Sequence, residues 1–361
     1  MLGPILAVTM TVTDLAPIEA AYGTFLGYRV IERGHVAAET AATWGAPKVA
    51  GHDYVVMEPE SGAPHYLRFV VTAPYPDYEP LKTYGWNSTE LLVKDVDALA
   101  ERLRASPFKI VGEPRNLSTG DEIKAMQVMG PAREFLYLTT IKDPKHPLGQ
   151  AASFVDRMFI VINGGRDMKD LITFYGQGMG AQVTDPIPVR MTALNKVHGF
   201  DIETRHPLAT AKLNGPFMIE LDQYPATVKD RVVRAGDLPP GTAMVTFAID
   251  SFARAPTKPV APPAHLAGKV YGAGRAQVIK GPNGEWIELV EGKERLLSLS
   301  SGRRICGMAE AESVVRVAGF FIPLVRCRPG LGFFGAGAGA GVLAGSVLAA
   351  ALFQDFLPPG I

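Results

Sequence analysis

The most constraining feature of this 361-residue sequence is a repeated order of predicted elements. A strand, a helix and further strands follow one another four times, as judged from hydrophobic periodicity and helix-capping residues. The first strands begin at Ala7, Ser88, Arg157 and Met244, and the last strands carry Arg68, Tyr137, Glu220 and Glu288. From the first half to the second, the offsets are 150 (7 to 157), 156 (88 to 244), 152 (68 to 220) and 151 (137 to 288). Offsets this similar indicate a duplicated pair of units.

The stretch from Gly281 to Glu291 shows the last strand of a unit most clearly. Its Pro-Asn-Gly turn precedes a strand in which Trp286 and Glu288 share one face and apolar residues occupy the other. A glutamate among apolar residues on a half-buried strand needs a partner, a metal or a proton. Glu288 is therefore the first candidate site residue.

The fourth unit departs from the pattern where its helix should lie. After Ser251 the sequence places prolines at 256, 259, 262 and 263, and proline does not suit a helix interior. We expect this helix to be shortened or lost.

Three motifs resemble the vicinal oxygen chelate superfamily, which includes glyoxalase I, bleomycin-resistance proteins and extradiol dioxygenases. They are Val12-Thr13-Asp14-Leu15, Val93 to Leu99, and Gly281 to Glu291, which is similar to the family's last-strand pattern. The resemblance spans residues 5 to about 293. It implies an α+β fold of four βαβββ modules, paired into two tandem glyoxalase-like domains at 1–145 and 150–296, each a cupped sheet with helices outside.

The resemblance also implies a divalent metal in the cup, usually held by a histidine from a first strand and a glutamate from a last strand. None of the first-strand positions, Ala7, Ser88, Arg157 and Met244, is a histidine. A metal would need about three protein ligands, and imidazole is its usual nitrogen donor. The domain at 1–145 is thus expected to have a degenerate site, kept for structure or binding a ligand through Arg68 and Tyr137.

Two interpretations of the domain at 150–296 stay open. In one, Arg157 and Glu220 form a partly buried ion pair. In the other, Glu288 acts as a general base, or Glu220 and Glu288 hold a weakly bound Fe, Mn, Mg or Zn ion; otherwise no cofactor is expected.

Other side chains complete the predicted site. His198, on or beside the third strand of the third unit, resembles the acid-base histidine of extradiol dioxygenases, although a lone histidine is more often structural. We predict catalytic roles for Glu288, His198 and Tyr137. The predicted substrate-binding residues are Arg157, Arg68, Met244 and Trp286.

Composition limits the functional class and the compartment. The 36 basic and 36 acidic residues balance without a basic block, which argues against binding to nucleic acid. The apolar N-terminus lacks a preceding Lys or Arg and is interpreted as a strand. The two cysteines, Cys306 and Cys327, both lie near the C-terminus, so we expect a cytoplasmic protein.

The composition changes after about residue 297. The uncharged segment from Gly330 to Phe353 is rich in Gly and Ala, long enough for a membrane span and preceded by Arg326 and Arg328. A membrane anchor, a disordered tail, a helix at an oligomer interface and a translated frameshift are the alternatives.

The leading functional hypothesis is a small-molecule enzyme of the vicinal oxygen chelate type, dioxygenase-like or a lyase or isomerase, acting on an apolar or aromatic oxygenated substrate. The alternative is a metal-free binding or resistance protein of the bleomycin-resistance type. The expected partner is a small molecule, and self-association into a homo-oligomer stays open.

Overall fold

A computed structural model describes residues 2–117 and 122–292 of the chain. The predictions for the tail at 297–361 therefore lie outside the described residues. No helix within the described ranges is both long and apolar enough to cross a membrane.

The first half of the chain forms two modules. The first comprises β1 (Leu2–Val12), α1 (Ala16–Ala21), β2 (Arg29–His35), α2 (Ala38–Trp44), β3 (Asp53–Glu58) and β4 (Tyr66–Val71). The second comprises β5 (Gly85–Val93), α3 (Val96–Leu103), β6 (Lys109–Asn116), β7 (Ile123–Met129) and β8 (Phe135–Ile141).

The second half repeats this order. The third module comprises β9 (Val155–Gly165), α4 (Met168–Ile172), β10 (Gln182–Val183), β11 (Ile187–Arg190), α5 (Thr192–His198), β12 (Arg205–Lys212) and β13 (Met218–Gln223). The fourth comprises β14 (Thr242–Ile249), β15 (Ala264–His265), β16 (Arg275–Lys280) and β17 (Trp286–Glu291). Only a 3₁₀ turn at Phe252–Arg254 stands where the fourth helix would be, which confirms the expectation from the prolines.

The strands form two mixed sheets. The first sheet has the order β15-β16-β17-β14-β1-β4-β3-β2, and the second has the order β10-β12-β13-β9-β5-β8-β7-β6, with β11 beside β12. Antiparallel pairing of β1 with β14 joins the halves of the first sheet, and antiparallel pairing of β5 with β9 joins those of the second. Four modules in two sheets confirm the predicted fold class.

The partners of the modules differ from the predicted division into 1–145 and 150–296. The first sheet combines the first and fourth modules, and the second sheet combines the second and third. Each predicted domain thus contributes one module to each sheet. The sequence pattern identifies a module but not its partner, because all four modules offer a similar first-strand edge for pairing.

The main apolar core lies on the helix-bearing faces of both sheets. One cluster of buried side chains includes a residue from the last strand of every module, namely Phe69, Leu138, Leu221 and Leu289. Because side chains alternate along a strand, the preceding residue in each case points to the opposite face. These residues are Arg68, Tyr137, Glu220 and Glu288, so each sheet has a second face that forms a cup.

Two buried tyrosine–glutamate pairs connect the sheets in equivalent places. The Tyr22 hydroxyl donates to Glu134 Oε1 at 2.7 Å, and the Tyr175 hydroxyl donates to Glu285 Oε1 at 3.0 Å. Each pair joins a helical segment of one sheet's module to the last hairpin of a module in the other sheet. Burial raises the pKa of Glu134 to about 7, so protonation of this carboxyl is favoured by its surroundings.

The module pairing predicts that neither half of the chain folds alone. Fragments 1–148 and 149–292 each contain two first strands whose partners lie in the other fragment, so each should expose two long unpaired edges. We expect the separate fragments to aggregate or self-associate, and the mixed fragments to form a 1:1 complex. Size-exclusion chromatography and circular dichroism would measure this. A monomeric fragment 1–148 that unfolds cooperatively would contradict it.

Candidate functional site

Four polar side chains meet at the centre of the first cup. Arg68 on β4 is in register with Thr9 on β1. Glu288 on β17 is in register with Thr246 on β14. The antiparallel junction of β1 and β14 brings these two pairs together. The first-strand residues beside Arg68 and Glu288 are therefore Thr9 and Thr246. Each lies two positions after the predicted residue, Ala7 or Met244.

Glu288 is completely buried and accepts four hydrogen bonds. Its Oε1 accepts from Trp44 Nε1 at 2.7 Å and from the Tyr271 hydroxyl at 2.9 Å. Its Oε2 accepts from Arg68 Nη2 at 2.8 Å and from Thr246 Oγ1 at 2.6 Å. A carboxylate has about four lone-pair sites, so these donors occupy all of them.

Arg68 neutralises Glu288 inside the sheet. Its side chain is 3% exposed, its Nε donates to Thr9 Oγ1 at 2.8 Å, and its Nη1 donates to the Tyr271 hydroxyl at 2.7 Å. The guanidinium carbon also lies 4.5 Å from the centre of the Trp44 ring. Burial alone lowers the pKa of Arg68, but the Glu288 carboxylate and the Tyr271 hydroxyl together raise it by more than burial lowers it. Arg68 is therefore charged at every physiological pH.

A cavity of about 410 Å³ lies against Arg68, with Glu288 behind it. Helix α2 and the segment around 265–271 form two of its walls, and Tyr54 on β3 forms a third. The Tyr54 hydroxyl donates to Glu32 Oε1 at 2.8 Å, and burial together with Glu32 raises the pKa of Tyr54 to about 12. The charged and aromatic side chains of its lining are Glu32, His35, Glu39, Trp44, Tyr54, Arg68, His265 and Tyr271.

The second cup holds carboxyl groups at the equivalent positions. Glu90, rather than the predicted Ser88, is in register with Tyr137, and Ile162 is in register with Glu220. The cavity beside Tyr137 and Glu220 is only about 20 Å³, close to the volume that one water molecule needs. Helix α5, which follows α2 by 154 residues (38 to 192), closes this cup.

Burial keeps protons on the carboxyl groups of the second cup. It raises the pKa of Glu90 to about 7 and that of Asp222 to about 8. The pKa of Glu220 lies well above its usual range because of burial and the negative charges of Asp222 and Glu90. Glu220 and Asp222 lie two positions apart on one face of β13, so the negative charge of Asp222 disfavours ionisation of Glu220.

The structure does not bring the two predicted metal ligands together. Glu220 lies on β13 in the second sheet, and Glu288 lies on β17 in the first. The predicted ion pair of Arg157 with Glu220 is also wrong. Arg157 donates to the backbone carbonyls of Leu148 at 2.9 Å and Pro216 at 3.3 Å, because it precedes Ile162, the residue in register with Glu220, by five positions.

The remaining predicted residues lie apart from the cavity of the first cup. His198 ends α5 rather than lying on a strand, and its ring nitrogens contact the Leu81 carbonyl at 3.0 Å and Thr227 Oγ1 at 3.1 Å. Met244 and Trp286 belong to an apolar cluster beside Trp44. Of the eight predicted site residues, the structure joins Arg68 with Glu288 in the first cup, Tyr137 with Glu220 in the second, and Met244 with Trp286 in the apolar cluster. Their roles stay predictions.

Four residues of this cluster were not identified from the sequence. Thr9 and Thr246 could have been found by matching strand centres instead of strand starts. Trp44 is the last residue of α2, a short helix made mostly of alanine and threonine, and Tyr271 lies in a glycine-rich segment. Neither stretch has the strong apolar periodicity that would indicate a direction.

The donor groups of the two cups do not fit a divalent metal. In the first cup, Arg68 occupies a position where the family resemblance implies a ligand, and it already neutralises Glu288 at 2.8 Å. Across residues 2–117 and 122–292, no group of three or more His, Cys, Asp or Glu side chains is placed to hold a metal ion.

Solved structures with the same fold are found, although no family model matches this chain and no curated protein sequence matches it. Glyoxalase I from Zea mays aligns at 15% identity and a TM-score of 0.54, over 83% of this chain and 97% of its own. A point mutant of the maize enzyme aligns with a TM-score of 0.56 at 15% identity, over 82% of this chain and 96% of its own. A Bacillus subtilis protein, whose dioxygenase activity is itself a proposal, aligns at 12% identity and a TM-score of 0.51, over 80% of this chain and 85% of its own. The chain thus has the fold of the vicinal oxygen chelate superfamily, as its motifs predicted.

Removing one member of the buried ion pair should destabilise the protein strongly. Arg68→Met or Glu288→Gln leaves the other group without its partner, and each should lower the free energy of unfolding by about 3–5 kcal/mol. The double variant should lose less than the sum, because no charge then remains unpaired. Urea unfolding of the three variants would measure the coupling.

The pair Arg29 and Glu58 provides the matched control. It has a 3.0 Å contact in the same sheet, but the Arg29 side chain is 57% exposed. The variants Arg29→Met and Glu58→Gln should show a coupling below about 1 kcal/mol. Equal coupling energies for the two pairs would contradict a special role of the buried one.

Ionisation of the buried carboxyl groups of the second cup should lower the free energy of unfolding as the pH rises. The folded-state pKa values of Glu90 and Asp222, about 7 and about 8, exceed the ordinary values of 4.5 and 3.8. The folded protein therefore binds more protons than the unfolded chain, and the stabilisation is present below about pH 4 and lost as the pH rises through 7 and 8. Each group contributes a slope of at most about 1.4 kcal/mol per pH unit within its window.

Urea unfolding between pH 5 and pH 8 would measure this slope. Glu90→Gln and Asp222→Asn should reduce it, because a neutral amide replaces a group that titrates. Glu101→Gln, at a side chain 73% exposed on α3, should leave it unchanged. An identical slope in the wild type and both second-cup variants would rule out this origin.

Proposed function

We propose that this protein is a metal-independent small-molecule-binding protein and that its ligand occupies the cavity of the first cup. The observation that supports this most directly is the Arg68–Glu288 ion pair at 2.8 Å, which stands at positions where the fold family implies metal ligands. A guanidinium group supplies the positive charge that a metal would otherwise provide.

The shape and lining of the cavity support binding. Its volume of about 410 Å³ falls in the range of roughly 300–1,000 Å³ that is usual for small-molecule pockets. Aromatic rings of Trp44, Tyr54 and Tyr271 contribute to its lining, and the buried Arg68 lies at its base. Such an arrangement suits a ligand with an apolar or ring-bearing body and a polar group that can meet Arg68.

Arg68 retains donors for such a group. A guanidinium has five N–H groups, and three of them donate to Thr9, Tyr271 and Glu288. The other two have no partner among the described residues. A buried donor without a partner is costly, so an oxygen atom of a ligand that accepts from Arg68 would be favoured.

The enzymatic alternative has less support from the geometry. A general base must have a lone pair within reach of the substrate proton, and the four donors around Glu288 occupy its lone pairs. An enzyme at this site would therefore need another group as the base. The names of the maize and Bacillus proteins suggest chemistry only by analogy of fold, which does not establish function.

Ligand binding should depend on the first cup and not on the second. For a compound selected by thermal shift from a library of small aromatic and apolar molecules, Tyr54→Ala should weaken binding at least tenfold, because it removes a wall of the cavity. Tyr137→Phe, in the closed second cup, should leave the Kd unchanged. Isothermal titration calorimetry on the full chain would compare the two variants.

Metal removal provides the second arm of this test. Purified protein should contain no stoichiometric divalent metal, and treatment with a chelator should change neither Tm nor ligand affinity. A stoichiometric Fe, Mn, Mg or Zn ion whose removal abolishes binding would overturn the proposal. Equal effects of Tyr54→Ala and Tyr137→Phe would place the site elsewhere.

A further inference from the structure

The cavity of the first cup carries uncompensated negative charge. Glu32 and Glu39 both line it, and neither has a salt-bridge partner within the described part of the chain. The positive charge of Arg68 is offset by Glu288, which lies directly behind it. A molecule that enters the cavity therefore meets a net negative potential.

Glu32 is held in a fixed orientation by neutral donors. Its Oε1 accepts from the Tyr54 hydroxyl at 2.8 Å, and its Oε2 accepts from the backbone N–H of Lys269 at 2.7 Å. These contacts position the carboxylate without neutralising it. Its half-buried location also reduces screening by solvent, so its field acts on a ligand more strongly than that of a fully exposed acid.

Glu39 and two histidines surround the more exposed part of the cavity. Glu39 is exposed in the first turn of α2, and His35 is paired with Asp53 at 2.7 Å. His265 also lines the cavity. Because the neighbour of His35 is the Asp53 carboxylate, this pair adds no excess of positive charge to the edge of the cavity.

The interior of the cavity suits a cation that also has an apolar body. The rings of Tyr54, Trp44 and Tyr271 offer faces that attract positive charge, and one such contact is already made by Arg68 over Trp44 at 4.5 Å. The two N–H groups of Arg68 that have no partner among the residues at 2–117 and 122–292 offer a second point of attachment for an oxygen acceptor, and this side chain is only 3% exposed.

We propose that the ligand of the first cup is an organic cation, with an aromatic or apolar body and an oxygen atom that accepts from Arg68. This inference rests on the proposed function, because it assigns a charge to the ligand of the same cavity. An anionic ligand is disfavoured, since the guanidinium already has a counterion and two uncompensated carboxylates would repel a second anion.

Three probes with the same ring and a carbonyl oxygen test the sign of the charge. Phenylalanine amide is a cation at pH 6, where its α-amino group is protonated; N-acetylphenylalanine amide is neutral, and N-acetylphenylalanine is an anion. Calorimetric titration of the full chain at low salt should give an affinity for the cation at least tenfold higher than for the anion. The neutral probe should fall between them, and added salt should reduce the difference.

Charge-removing variants locate the origin of this preference. Glu32→Gln and Glu39→Gln should each reduce the ratio of cation to anion affinity about three- to tenfold, with little effect on the neutral probe. Glu101→Gln removes an equal charge on α3, away from the cavity lining, and should leave the ratio unchanged. Circular dichroism would confirm that the variants are folded, and Glu39→Gln alters only an exposed side chain.

The outcomes separate this inference from the proposed function. If all three probes bind equally and Tyr54→Ala weakens them all, the cavity is a binding site but the charge assignment is wrong. A ratio that does not change in Glu32→Gln and Glu39→Gln likewise overturns the assignment. If none of the probes binds at millimolar concentration, both proposals fail.

Discussion

The contact between Arg68 and Glu288 is the interaction on which the first cup depends. The two residues are 220 positions apart, on strands of the first and fourth modules, and they meet because β1 pairs with β14. A buried ion pair stabilises a protein only when its geometry is good and its remaining hydrogen-bonding groups have partners. Here Thr9, Thr246, Trp44 and Tyr271 provide them, so the pair fixes strands from both ends of the described chain.

This pair also explains why the two cups differ. In the first cup a cation and an anion neutralise each other, and the space beside them remains open. The second cup has Tyr137 and Glu220 on the corresponding last strands and Glu90 on a first strand. Arg190 of its lining pairs with Glu203, and burial favours the protonated forms of Glu90 and Glu220. Its small cavity and the cover of α5 are consistent with a structural role. The two cups therefore have similar frameworks, but the first contains a neutralised ion pair and the second contains carboxyl groups whose protonated forms are favoured.

The charged side chains of the first cup consequently lie at two depths. At the base, Arg68 and Glu288 cancel each other within hydrogen-bonding distance. Nearer the solvent, Glu32 and Glu39 are not cancelled, and Tyr54 together with a backbone N–H orients Glu32. A neutral base with an acidic outer part can select ligands by charge without a metal, since selectivity then arises from the uncompensated carboxylates.

The sequence by itself determined the modules and the faces of their strands. The alternation of side chains placed Arg68, Tyr137, Glu220 and Glu288 on the cup faces, and the prolines after Ser251 predicted the missing helix, because both signals are local. Only the tertiary structure decided which modules pair, and hence that Glu288 meets Arg68 instead of Glu220. That choice depends on docking between similar strand edges and on side chains such as Trp44, at the end of a short alanine-rich helix, and Tyr271, in a glycine-rich segment, because the local sequence of neither has a periodicity that indicates where it points.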